Sequence, residues 1–179
     1  MTNDELFDIM RPIILTVTGV PEVILANPNA PAPSGPYAAV QPQQVITEQG
    51  QANVRRSNVT GQESITVDVR AQIMCECSIN FYRGDTRTMA GKLKQSNKRP
   101  DVSATLFKNK LGWNRTGPVN NLTALQSNNF ESRAQITIFL MYETTDPVVI
   151  NSIEQVAWEV QNEKAEVLAS GNIVSPDAP

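Results

Sequence analysis

Between Ile65 and Tyr82 apolar and polar positions alternate without a break. Ile65, Val67, Val69, Ala71, Ile73, Cys75, Cys77, Ile79 and Phe81 fall on one side; Thr66, Asp68, Arg70, Gln72, Met74, Glu76, Ser78, Asn80 and Tyr82 fall on the other. A period of two predicts a β-strand with one buried face. Fully extended, the run reaches about 60 Å at ~3.3 Å per residue. A compact chain of 179 residues has a radius of gyration of about 16 Å. The strand must therefore bend at a bulge, or part of it leaves the globule and another chain covers its apolar face. Residues 131–145 alternate too, with Ile136, Ile138, Leu140 and Tyr142 on one side. The two runs are natural antiparallel neighbours.

Elsewhere the period changes. Leu6, Phe7, Met10, Ile13, Ile14 and Val17 recur at helical spacing, and Thr2 with Glu5 matches a capping box. Pro12 predicts a kink or a second start, and Gly19 and Pro21 end the helix. Residues 22–26 read as a short strand, and 37–49 as a strand interrupted at Pro42, which favours an edge or a bulge. In residues 85–98 Met89, Ala90 and Leu93 form a narrow apolar face. Arg87, Lys94 and Lys98 align within about 20° of one another at ~100° per residue. Residues 101–112 read as a further helix, with Asp101 as N-cap and Gly112 as the stop. The C-terminal run fits two periods: Val156, Trp158 and Val160 alternate, while Ile150, Ile153, Ala157 and Val160 suit a helix. A strand and a hairpin are the preferred reading, with a frayed tail at 174–179. No internal repeat is visible.

These elements predict an α+β fold: one domain over residues 1–179, mainly antiparallel or mixed sheet, with long strands packed against two or three helices. Residues 27–37 hold four of the chain's twelve prolines. Only about twenty residues precede them, too few for a domain. The segment is therefore a strap inside one fold, stiffened towards polyproline II by Pro28, Pro31, Pro33 and Pro36.

Composition narrows the function. With 40% apolar and 18% charged residues the chain is globular, and at this length it needs neither disulfide nor metal. No run suits a transmembrane helix, and the acidic start lacks a secretory signal's basic region. The expectation is folding in a cytoplasm, with the Asn-x-Thr matches at Asn58, Asn114 and Asn121 arising by chance. The chain contains no histidine, which removes imidazole bases and ligands. Cys75 and Cys77 read as buried, inert thiols. Gly84 and Gly91-Lys92 are too far apart for a phosphate loop, and Leu93 stands where Ser or Thr is required. Asp68, Arg70 and Glu76 read as cross-strand ion pairs. No catalytic residue, metal or cofactor is expected, and no enzyme.

Charge is unevenly spread. Residues 83–115 hold nine Lys/Arg against Asp85 and Asp101, whereas residues 140–179 hold seven Asp/Glu against Lys164. Such a dipolar chain favours head-to-tail contact with its own copies. The stripe of Arg87, Lys94 and Lys98, with Arg99 beside it, is a solvated face, a contact to an acidic neighbour, or a contact to duplex backbone. It lacks the interleaved aromatics of single-strand recognition.

Three stretches together resemble the neck or tail terminator proteins of bacteriophages, especially contractile-tailed ones. The first is the strap from Asn29 through Pro31, Pro33 and Pro36 to Tyr37; Pro28 stands where the family often has Gln. The second is residues 78–95, a strand ending in Ile-Asn-Phe-Tyr, then Gly84 and a short helix, with Arg83 inserted relative to the family pattern. The third is residues 119–145, where an Asn-Leu-Thr loop leads to Glu131, Arg133, Ala134 and an alternating strand. The resemblance implies a virion structural protein of the tail–neck region, assembled in the host cytoplasm. Its members form a ring, usually hexameric, that caps the head-proximal end of the tail and halts tube and sheath polymerisation. The ring then offers a surface for the neck of the head. The implied partners are sister copies, tube and sheath subunits, and neck or head-completion proteins, with phage DNA crossing the lumen without sequence-specific binding and no membrane involved. The alternatives are another phage neck or tail part (a head-completion or tube subunit) or a duplex nucleic-acid-binding domain using residues 83–115.

Overall fold

The capping box at the N-terminus forms as its residues predict. Glu5 N–H donates to Thr2 Oγ1 at 3.1 Å and Thr2 N–H donates to Glu5 Oε2 at 2.7 Å, opening helix α1 (Asn3–Thr18). Gly19, at φ 72°, closes it with an N–H bond to the Leu15 carbonyl. The helix runs through Pro12 as one element, so no second start occurs. Pro12 lies on the exposed side, where water can serve the carbonyl of Asp8 that lacks a helical donor. The computed structural model describes residues 1–26, 31–48, 50–57, 64–126, 129–151 and 155–174. Strap residues 27–30, Asn58, Ile153 and the tail beyond Val174 lie outside them.

The remaining elements follow in order: strands β1 (Glu22–Leu25), β2 (Tyr37–Glu48), β3 (Asn53–Ser57) and β4 (Ser64–Tyr82); helices α2 (Thr86–Gln95) and α3 (Pro100–Lys108); then β5 (Leu111–Thr116), β6 (Asn120–Asn121), β7 (Ala124–Gln126), β8 (Asn129–Glu131), β9 (Arg133–Asn151), β10 (Gln155–Gln161) and β11 (Val167–Val174). The main sheet has the order β1-β2-β4-β9-β5, with β3 also pairing with β4 and β6 with β9. The fold class is α+β, a mixed sheet against helices, as the pattern predicts. The expected pairing of the two long strands is present.

Three helix boundaries differ from the pattern. The helix expected over 85–98 ends at Gln95, and Ser96–Lys98 form a 3-10 turn in which Ser96 Oγ donates to the Leu93 carbonyl at 2.8 Å. A 3-10 turn advances about 120° per residue, so the alignment holds for Arg87 and Lys94 but does not extend to Lys98. The next helix starts at Pro100, whose missing N–H costs nothing in a first turn. Arg99 is its cap residue. Asp101 does not cap; its carboxylate takes two hydrogen bonds from the Arg99 guanidinium, at 2.6 and 3.0 Å. Asn109 ends the helix, and Gly112 belongs to β5.

Contacts divide the chain into two compact units. The first comprises residues 1–49 and 72–143. Its core joins Leu6, Met10, Ile14 and Val17 of α1, Ala90 and Leu93 of α2, and Val102 and Leu106 of α3 to one face of the sheet. That face is Ala38, Val40, Cys75, Cys77, Ile79, Phe81, Ala134, Ile136, Ile138 and Leu140. The buried alternation in β4 is thus the side that meets the helices. Strand β1 runs parallel to β2 over Glu22↔Tyr37 to Leu25↔Val40, and a parallel pair needs a crossover. The strap is that crossover. Beyond Val40 the partner strand β1 is finished, so Pro42 meets no lost ladder bond on that side, and the register shifts between Gln43 and Thr47.

The second unit comprises residues 50–71 and 144–179. In it β3 pairs antiparallel with residues 66–70 of β4. Strand β9 continues to Asn151, six residues past the run read from sequence, and its positions 143–151 are exposed on both faces. Strands β10 and β11 form an antiparallel hairpin, which supports the strand reading of Val156, Trp158 and Val160 over the helical one. Asn162 ties its turn: Oδ1 accepts from Lys164 N–H and Glu166 N–H, both at 2.9 Å, and Nδ2 donates to Glu166 Oε2 at 2.8 Å. Ala165 sits at φ 60°.

Candidate functional site: the strap clasp and the assembly surfaces

Strand β4 leads into α2 through two successive left-handed residues, Arg83 at φ 61° and Gly84 at φ 67°. The reversal brings Gly84 against the strap: a Cβ there would stand 3.4 Å from Pro36 Cγ. It also aims Arg83 back at the strap. The guanidinium donates to the Pro33 carbonyl and, through Nε, to Glu131 Oε1 at 3.1 Å, while the Arg83 N–H donates to the Ser132 carbonyl at 2.9 Å. One side chain thus fastens the strap to the end of β8.

An aromatic ladder lies beside it. Tyr37 stacks on Tyr82 with centroids 4.7 Å apart and planes 8° from parallel, and the two are register partners in β2 and β4. Arg83 lies 5.8 Å from the Tyr37 centroid and Arg133 lies 5.0 Å from that of Tyr82. Arg133 Nη2 donates to Asn80 Oδ1 at 3.0 Å, and Gln135 Nε2 donates to Ser78 Oγ at 2.9 Å. Thr86 and Ser132 share a hydroxyl bond of 2.8 Å. These contacts explain why Ser78 and Asn80, on the polar side of the alternation, are nonetheless buried. Burial pushes the Tyr37 hydroxyl above its ordinary value, and Tyr82 and Glu131 add to the shift against Arg83 and Arg133.

The clasp gathers all three stretches that carry the resemblance: the strap, the end of β4, and the Glu131–Arg133 step. Arg83, which stands as an insertion against the family pattern, lies at its centre. Of the strap residues, Pro31 is exposed, Pro33 and Pro36 are half-buried, and Tyr37 is buried. Sequence reasoning missed the role of Arg83 because its partner Glu131 lies 48 positions away.

The cationic candidates separate. Arg87 and Lys94 are exposed on α2, and Lys98 is exposed on the 3-10 turn. Arg99 is engaged by Asp101, which holds the Asp101 carboxyl below its usual range and raises the Arg99 guanidinium above its own. Further along, Phe107 is 84% exposed on α3 with Lys108 and Lys110 beside it. Sequence reasoning also missed this apolar spot within the basic segment, although a Phe off the helix's buried positions Val102 and Leu106 is the signal that finds it.

The hairpin carries a second surface. Register partners Val156↔Ile173, Trp158↔Gly171 and Val160↔Ala169 share one face, which is wholly apolar. Val156 is 47% exposed, Trp158 42%, Val160 49% and Ile173 63%. The Trp158 indole lies across Gly171, where a Cβ would come within 2.8 Å of Trp158 Cζ2.

Reactive chemistry is sparse. Both thiols are buried and unpaired; burial drives Cys77 up to about 12, with Cys75 adding to the shift, and raises Cys75 as well. No cluster of three metal-ligating acids or thiols occurs among the described residues, and no described helix is long and apolar enough to cross a membrane.

The first unit is thus a sheet-and-helix body whose strap is held by a polar network, and the hairpin of the second unit exposes an apolar face. A family profile described as phage neck terminator protein matches residues 4–165, and the chain belongs to that family. It is a bacteriophage structural protein of the tail–neck region of the virion. No curated protein sequence matches it.

Proposed function

We propose that the chain is a tail terminator of a contractile-tailed phage: copies close into a homohexameric ring on the head-proximal end of the tail. The ring stops tube and sheath polymerisation and presents a surface to the neck and head-completion proteins. It does so without catalysis, with residues 1–179 acting as one working unit, since the family match runs from 4 to 165 through both compact units. The observation that carries the reading is the outward apolar face of the β10–β11 hairpin in a member of this family. A lone two-stranded ribbon is marginal in water, and an apolar face on it calls for a partner. Head-to-tail contacts between opposed charge patches close into rings when the rotation permits.

Arg87, Lys94, Lys98 and Arg99 lie in the exposed basic segment, and in the ring they face the next subunit or the lumen that DNA crosses. The strap, Pro31 to Tyr37, braces the subunit at low entropic cost. Electron microscopy of the purified chain tests the reading: single closed rings are expected. Open stacks would identify a tube subunit, and isolated monomers at high concentration would remove the terminator assignment. Reversing Lys94 and Lys98 to Glu tests the cationic contacts; unchanged rings and infectivity would eliminate both roles for that stripe.

A further inference from the structure

The apolar face of the hairpin and the exposed Phe107 are each displayed without cover, in two different units of the chain. The hairpin is acidic: Glu159, Glu163 and Glu166 outnumber Lys164, and all four are exposed. The α3 end is basic, with exposed Lys108 and Lys110 following a phenylalanine that is absent from the core cluster. Lysines suit a helix C-terminus on dipole grounds alone, but that does not account for an aromatic ring 84% exposed beside them.

We propose that the hairpin's Val156–Trp158–Val160 face docks on the Phe107 end of α3 in a second copy of the chain. Two observations select this occupant. Pairing hairpin with hairpin turn to turn would bring Glu163 and Glu166 of both copies together, a like-charge juxtaposition that opposes association. The chain itself supplies a surface with the opposite charge and an unused aromatic anchor, and aromatics in apolar settings dominate interface energies. Because one copy gives its hairpin and receives another's, the contact is heterologous, the kind that generates rings.

This inference rests on the proposed self-assembly, and the experiment separates the two. The full chain is purified with Trp158 replaced by a benzophenone amino acid, irradiated, and the products mapped by mass spectrometry, beside native mass spectrometry of the unmodified chain. Intermolecular links from position 158 to residues 100–110 are expected. In parallel, the Lys108→Glu/Lys110→Glu and Glu163→Lys/Glu166→Lys variants should each weaken assembly by about tenfold, and mixing or combining them should recover it. An oligomeric unmodified chain whose links run hairpin to hairpin, or nowhere near α3, overturns the docking and leaves the ring. A monomeric unmodified chain overturns both. Charge reversals without effect on a chain that still links to α3 would remove the electrostatic selection and with it the heterologous pairing argued here.

Discussion

Ala165 holds a left-handed conformation at φ 60°, where a Cβ costs roughly 1 kcal/mol. The Asn162 side chain keeps it there by bonding both Lys164 and Glu166 N–H groups. Ala165→Gly relieves the strain and should slow amide exchange across residues 155–174 by about fivefold, corresponding to ~1 kcal/mol of local opening. Gly171→Val should do the opposite, since any Cβ there runs into the Trp158 indole. The thiols set a pH dependence. Cys77 titrates near 9 in the unfolded chain and at about 12 in the folded one, because burial disfavours the thiolate. Below 9 the thiol is protonated in both states and stability is unaffected. Between 9 and 12 the unfolded state alone releases the proton, so stability falls as pH rises. Cys75, Tyr37 and Tyr142, all raised by burial first, act with the same sign. Urea midpoints should hold steady from pH 7 to 8.5 and then decline; a flat profile to pH 11 would contradict the assigned burial.

At the level of elements, the clasp ties the described part of the proline-rich connection, at Pro33, to Glu131. Arg83→Met keeps the aliphatic stem but frees the Pro33 carbonyl and Glu131. The expected result is faster proteinase K cleavage within residues 31–37 and a global loss of about 1–2 kcal/mol, with helicity retained by circular dichroism. Arg83→Lys should behave similarly, because an ammonium cannot bridge carbonyl and carboxylate as a planar fork does. Local signals were readable in advance: Thr2 with Glu5 fixed the start of α1, and the unbroken alternation from Ile65 to Phe81 fixed β4 and its core face. Signals that depend on which of several partners a side chain takes, near or distant, were not. Helical periodicity carried the second helix through to Lys98, whereas Ser96 bonding back to Leu93, with Pro100 close behind, breaks it at Gln95. Asp101 read as a cap until Arg99 claimed its carboxylate. Ser78 and Asn80 read as solvent-facing because Arg133 and Gln135, which cover them, lie more than fifty positions away.

For the molecule as a whole, charge and exposed apolar surface occur in the same segments. The basic stretch over 83–115 contains Phe107, and the acidic stretch over 140–179 contains the apolar hairpin face. Charge on such surfaces steers encounter while apolar area holds the product. In the proposed ring, raising salt should therefore slow assembly more than it speeds dissociation, which stopped-flow light scattering at two ionic strengths would resolve; equal effects on both rates would argue against steering. The sequence displayed the charge division plainly. It did not display which apolar positions stay outside, because alternation marks a two-faced strand without saying what meets either face.

The indole laid across Gly171 has a practical consequence. Trp158 is one of two tryptophans, and the other, Trp113, has its ring N–H bonded to Thr116 Oγ1 at 2.9 Å within its own unit. Emission from the chain should thus combine a steady component with one that shifts to the blue when the hairpin loses water. The protein carries a built-in optical gauge of whether its ribbon is covered.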